Sequence, residues 1–198
     1  MLAFDLRCHG SSGGQWAGLG DVERCDILGA VRWLKMIHPD ECERIDGIGG
    51  GIAGAALIAA ATDPSAQGQA IDAIAVFDTY AEVSSFAKSV ADDRLAQPFR
   101  GWALNVMLPI ASAHAGSDLK RFSPARLAPR LWPRPILVIH ARGDRIVPFD
   151  QGLELFRTAT FPKESLWLSG DHDDVYRNRQ GAAEVLYFFD NARAVPAI

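Results

Sequence analysis

Arg44-Ile45-Asp46-Gly47-Ile48-Gly49-Gly50-Gly51-Ile52-Ala53-Gly54 passes within a few residues from a short apolar run, through three consecutive glycines, into the alanine-rich run Ile52 to Ala61. Residues 44–48 read as a short strand, the glycines as a tight turn and the apolar run as a helix buried on all sides. Asp63-Pro64 stops that helix, because proline disfavours the α conformation in the residue before it. A strand that feeds a buried helix through a glycine turn is a building block of parallel α/β sheets.

Working outward, Ile71 to Phe77, Pro135 to His140 and Ser165 to Leu168 read as further strands, and Asp150 to Thr158 and Gln180 to Asn191 as helices. Upstream, Val22, Cys25, Leu28, Val31 and Leu34 recur at helical spacing over Asp21 to Ile37, with Asp21 as the expected N-cap and Pro39 just past the end. Met1 to Leu6 reads as a buried first strand. The expected fold is therefore α/β, a mostly parallel sheet of about five strands with helices on both faces. Residues 1–198 form one domain, and residues 80–134 form a helical insertion, too long for an ordinary connection between strands. A cap or lid over a site and a packed helical excursion are both open for this segment, which carries Phe99, Trp102, Met107 and Trp132.

Composition narrows the function classes. Of 198 residues, 48% are hydrophobic and 22% charged, which a globular domain requires and a disordered or low-complexity chain lacks. A net charge of −4 gives no basic footprint for nucleic acid. The longest apolar stretch, Ile52 to Ala61, is too short for a membrane segment. Cys8, Cys25 and Cys42 match no metal-ligand spacing and point to reduced thiols in a cytoplasmic compartment. No metal and no cofactor are expected, and the oligomeric state, a homo-oligomer included, stays open.

Ligands of an open parallel sheet sit beyond the carboxyl ends of its strands. There the sequence has Asp5-Leu6-Arg7-Cys8-His9-Gly10-Ser11-Ser12, then Gly49-Gly50-Gly51-Ile52-Ala53, then Gly143-Asp144-Arg145-Ile146-Val147-Pro148, then Gly170-Asp171-His172. These segments resemble the α/β-hydrolase superfamily, especially its serine aminopeptidase and dienelactone-hydrolase-like esterase branch, over nearly the whole chain. Asp5 to Ser12 is similar to that family's Asp-x-Arg-Gly-x-Gly-x-Ser, with Cys8 at a usual glycine. The segment ending Asp144-x-x-Val147-Pro148 looks like the one that carries the family's acid, with Ala141 at a usual glycine, and His172 follows 28 residues later, in the histidine loop.

The resemblance implies acyl transfer to water from an ester, thioester or amide. Asp144 would orient His172, and the Ile52 backbone amide would supply half of an oxyanion hole. It also implies a serine at the strand-to-helix elbow, Gly-x-Ser-x-Gly, and the aligned residue is Gly51. A glycine there has no hydroxyl to attack with, so the expectation is a catalytically impaired pseudo-hydrolase that keeps a pocket for a small acyl or peptide-like ligand. If Met1 to Leu6 corresponds to the family's fourth strand, the three strands before it and the other oxyanion loop precede this chain. The first two strands here are then expected to pair directly or to exchange partners.

Two other readings stand beside it. His172 could activate a water lodged where the serine side chain would be, leaving residual hydrolysis. Gly49-x-Gly51-x-x-Gly54 after a strand also matches a dinucleotide-binding turn with Asp78 as the ribose acid, although Asp78 lies beyond the roughly 20 residues expected. Singly, Asp144 could merely cap the helix near Phe149, and His172 could be a solvated loop histidine. Of the other histidines, His9 is expected to orient its turn, His38 and His114 to be structural or solvated, and His140 to be buried and hydrogen-bonded.

Overall fold

The computed structural model of the protein describes residues 1–97, 99–172 and 174–192. In chain order they form α1 (Arg24–Ile37), β1 (Asp46–Gly50), α2 (Ile52–Ala61), α3 (Ala66–Gln69), β2 (Ala73–Phe77), α4 (Val83–Arg94), α5 (Phe99–Trp102), α6 (Leu108–Ala115), α7 (Pro124–Leu127), β3 (Ile136–Ala141), α8 (Phe149–Thr158), β4 (Lys163–Leu168), α9 (Asp174–Arg177) and α10 (Arg179–Ala192). The strands pair in the order β1-β2-β3-β4, all parallel, with Gly50 opposite Phe77, Phe77 opposite Ile139 and Ile139 opposite Leu166.

Strand alternation divides the core. Ile74 and Val76 of β2 and Ile136 and Val138 of β3 pack with Val31 of α1, Leu57 and Ile58 of α2 and Leu155 of α8. Their neighbours Ala73, Ala75, Phe77, Leu137 and Ile139 pack with Val185 and Phe188 of α10. Both faces are covered, which is why β2 and β3 are buried along their whole length. Each large aliphatic side chain so buried contributes roughly 1.5–3 kcal/mol. The α2 run of alanines lets the helix lie close over the sheet, and Thr62 ends it by donating its hydroxyl to the Ile58 carbonyl at 2.8 Å.

Three expectations need correction. The sheet has four strands, not about five, because Met1 to Leu6 form no strand and pair with neither β1 nor any other among the described residues. Leu6 alone of these is buried. The segment instead borders a groove between α1 and β1, where Met1, Leu2 and Phe4 remain exposed. Direct pairing of the first two expected strands is overturned with it. The third correction is the start of α1, where Glu23, not Asp21, occupies the N-cap. The Glu23 carboxylate is wholly buried and accepts the N–H groups of Gly18 at 2.6 Å and Gly20 at 2.7 Å, while Asp21 meets Arg24 and the Ser117 hydroxyl.

Residues 80–134 contain α4 to α7 and pack through Tyr80, Val83, Leu108, Leu119 and Phe122 onto Ala55 and Ala59 of α2. The Trp102 side chain lies outside the described residues.

Candidate active site

Three loops at the carboxyl edge of the sheet converge. The β3–α8 loop begins one residue beyond the buried end of β3, and the loop after β4 is tied to it twice. The Gly143 N–H donates to the Gly170 carbonyl at 2.9 Å, and exposed Arg145 and Asp171 form an ion pair at 2.6 Å. His172 is thereby brought to Asp144, and its Nδ1 lies 2.7 Å from Asp144 Oδ2. Asp144 Oδ1 accepts the N–H groups of Ile146 and Val147, both at 2.8 Å, so the carboxylate is held by its own loop before it meets the imidazole. A carboxylate can only accept, so Nδ1 carries the proton and Nε2 of the neutral ring carries the lone pair that a base needs. Asp144 serves as a loop-binding acceptor and a histidine partner together. Asp173, beside His172 in sequence, lies outside the described residues.

Gly51 stands between the last residue of β1 and the first of α2, with φ 52° and ψ −117°. A side chain is strained at such a positive φ, at a cost of about 1–3 kcal/mol, and glycine avoids it. A Cβ added at Gly51 would meet nothing within 4 Å, so the space beside the turn is open. Gly54 is different: a Cβ there would lie 2.0 Å from Thr79 Oγ1, and this close approach of α2 to the end of β2 needs glycine. The Ile52 amide follows Gly51 at the first helical position of α2, where backbone N–H groups have no partner within the helix. Gly51, Ile52, Tyr80, Phe86, His172 and Tyr176 border one cavity of about 400 Å³.

Asp78, one residue beyond β2, is wholly buried and joins this site. Its Oδ1 accepts the Ala141 N–H at 2.8 Å, and its Oδ2 lies 3.9 Å from His172 Nδ1. Burial, opposed by that one hydrogen bond and reinforced by Asp144, pushes the Asp78 carboxyl up to about 7. The sequence reading placed Asp78 only on a ribose. A wholly buried carboxyl bonded beneath β3 is not presented to a ribose. The signal available beforehand was positional, since Asp78, Asp144 and His172 each follow a strand at the same edge.

His140 ends β3 and is buried, as expected, with Nε2 donating to the Val147 carbonyl at 2.9 Å. Burial holds its ring below the usual histidine range. Donor atoms of Asp78, His140 and Asp144 lie within 4.8 Å of one another, a spacing that could suit a metal ion. The ring nitrogen of His140 on that side already holds its proton against Val147, and both Asp144 oxygens are engaged, so the chemistry of this set is that of a proton network. His9 Nδ1 lies 2.8 Å from the Arg7 carbonyl within its own turn. Ser11 and Ser12 are bound to Asp5 in that turn, through the Ser11 amide and the Ser12 hydroxyl.

Comparison with known proteins bears on the fold. The uncharacterized protein YfhR of Escherichia coli O157:H7 is 25% identical over 184 residues, covering 91% of this chain and 56% of its own length, and YfhR of Salmonella typhi is 25% identical over 187 residues with 56% of its length covered. The chain thus spans little more than half of the curated relatives it matches. No family model matches. Among solved structures, the Pyrococcus furiosus esterase Pf2001 superposes with a TM-score of 0.69 at 19% identity, covering 96% of this chain and 68% of that one. The α/β hydrolase GrgF from Penicillium sp. sh18 gives 0.66 at 17% identity, covering 96% and 78%. A lipase-esterase related protein from Clostridium acetobutylicum ATCC 824 gives 0.64 at 15%, covering 93% and 81%. The chain has the α/β-hydrolase fold.

Proposed function

We propose that this chain derives from serine hydrolases acting on esters, thioesters or amides and is itself a pseudo-hydrolase, with Gly51 at the position of the nucleophile. The observation that carries this reading is the Gly51 turn: a positive-φ residue opening a buried helix, with free space where a side chain would project, bordering the same cavity as His172. Asp144 and His172 are the acid and base of the ancestral reaction. The Ile52 amide is one donor to the oxyanion. The cavity, lined by apolar and aromatic groups with His172 at one side, suits a small acyl or peptide-like ligand, and residues 80–134 act as its lid. No helix among the described residues is long and apolar enough to cross a membrane, and the free cysteines Cys8, Cys25 and Cys42 favour a cytoplasmic setting.

The open space at Gly51 supports a second reading, in which a water lodged there is activated by His172 and hydrolyses an ester slowly. One experiment tests both. The purified chain is treated with a fluorophosphonate probe and, separately, assayed on an activated short-chain ester with and without His172→Ala. The first reading expects no serine adduct and no hydrolysis that depends on His172; hydrolysis lost on His172→Ala supports the second, and a labelled serine in the unaltered chain removes both.

A further inference from the structure

Asp78 is a buried acid that the Asp144–His172 pair leaves unexplained. It sits at the end of the fully buried β2 with a φ of 40°, a conformation uncommon for any residue with a Cβ. Its Oδ1 is used by the Ala141 amide, and its Oδ2 is buried without a hydrogen bond among the described residues. That oxygen lies 3.9 Å from the ring nitrogen of His172 that bonds Asp144. Titratable groups face it from each neighbouring element: His140 of β3 with Nε2 3.8 Å from Asp78 Oδ1, Asp144 of the β3–α8 loop, and His172 and the exposed Asp171 of the loop after β4. Asp171 is neutralised by Arg145, and Asp150 of α8 acts on His140.

Two buried carboxylates this close repel, and like charges sharing a site hold one of the two protonated unless a cation joins them. Both Asp144 oxygens are engaged by three donors, the amides of Ile146 and Val147 and the imidazole. His140 Nε2 is spent on Val147. The proton or the compensating cation therefore falls to Asp78 or to His172.

We propose that Asp78 is a second carboxyl of this site, a positioning residue whose proton state decides whether His172 rests as imidazole or imidazolium. With its proton on, Asp78 is a neutral acid, and a single negative charge faces the ring. When that proton leaves to solvent, a second negative charge stands 3.9 Å from Nδ1 and favours uptake of a proton at Nε2. The elevated Asp78 carboxyl places this exchange near neutral pH. The inference rests on the reading of Asp144 and His172 as the working pair, and its test observes His172 directly, independently of any reaction.

The experiment is a pH titration of the whole chain by carbon and nitrogen NMR, reading the Asp78 carboxyl and the His172 ring, with Asp78→Asn and His172→Gln to assign the signals. The expected result is an Asp78 carboxyl that titrates near neutrality together with a second inflection of the His172 ring. In Asp78→Asn the second inflection disappears and the His172 midpoint falls by ~1 pH unit. An Asp78 carboxyl that titrates with the exposed aspartates, or a His172 curve unchanged in Asp78→Asn, overturns the proposal. Should Asp78→Asn fail to fold, the carboxyl titration in the unaltered chain decides alone. Coupling found in a chain whose Gly51→Ser variant stays inert to a serine probe supports this inference while removing the hydrolase reading.

Discussion

His172 Nδ1 lies 2.7 Å from Asp144 Oδ2, while the other oxygen of the same carboxylate closes the β3–α8 loop on the amides of Ile146 and Val147. One side chain thus builds the loop and orients the ring, and the two roles can be separated by substitution.

Asp144→Ala removes both. It leaves two amides without their acceptor, one of them buried, at about 1–3 kcal/mol for each unsatisfied group, so urea unfolding is expected to show a loss of ~2 kcal/mol or more. Asp144→Asn keeps an oxygen for the loop but turns an NH₂ toward the ring. Stability is then expected to fall by less, while nitrogen NMR shows the His172 proton moved from Nδ1 to Nε2.

Asp78 carries the opposite pH signature to a paired surface acid. Its folded-state carboxyl is raised to about 7 from 3.8, so between these values the folded chain holds a proton that the unfolded chain has released, and stability falls as pH rises. Asp78→Asn keeps the Ala141 bond and tolerates the positive φ, and it abolishes that loss. Melting temperatures of the two chains are expected to converge near pH 4 and to separate by pH 8, with the variant the more stable by on the order of a few kcal/mol, at about 1.4 kcal/mol per pKa unit. A constant difference across that range would count against a buried, elevated acid.

Gly51 and Gly54 lie three residues apart and should respond differently to the same methyl group. Gly54→Ala drives a Cβ into the Thr79 hydroxyl, overpacking that typically costs 1–3 kcal/mol and here disturbs the α2–β2 contact. Gly51→Ala meets open space, and its cost of roughly 1–3 kcal/mol comes from the backbone alone. Denaturant unfolding separates them best in the slope and in near-ultraviolet dichroism, which Gly51→Ala leaves unchanged.

Much of this was visible in the residues. The glycine turn before an all-apolar helix sets one strand–helix unit, and the buried β2 and the Ile136 to Ile139 part of β3 show as apolar runs because both their faces are covered. Asp144 and His172, which the structure brings together, stood out because their loops have motifs with direction and order. Met1 to Leu6 misled because apolar content fixes neither burial nor a ladder partner: Leu6 alone is buried, and Met1, Leu2 and Phe4 stay exposed along the groove. Glu23 was missed because its donors are the loop amides of Gly18 and Gly20, a contact without periodicity. Asp78 was seen but given the wrong surroundings, since one sequence shows which residue ends a strand and not what the neighbouring strands bring against it.

The central claim is that Gly51 occupies the nucleophile's place in a site that is otherwise poised. It is tested most directly by fluorophosphonate labelling of Gly51→Ser, alone and combined with His172→Ala, followed by mass mapping of the adduct. The expected result is an adduct on the new residue at position 51 in the single variant, at least tenfold weaker when His172 is removed, against no adduct in the unaltered chain, tenfold corresponding to about 1.4 kcal/mol. A folded Gly51→Ser chain that labels no better than the unaltered one, or labels equally with and without His172, contradicts it.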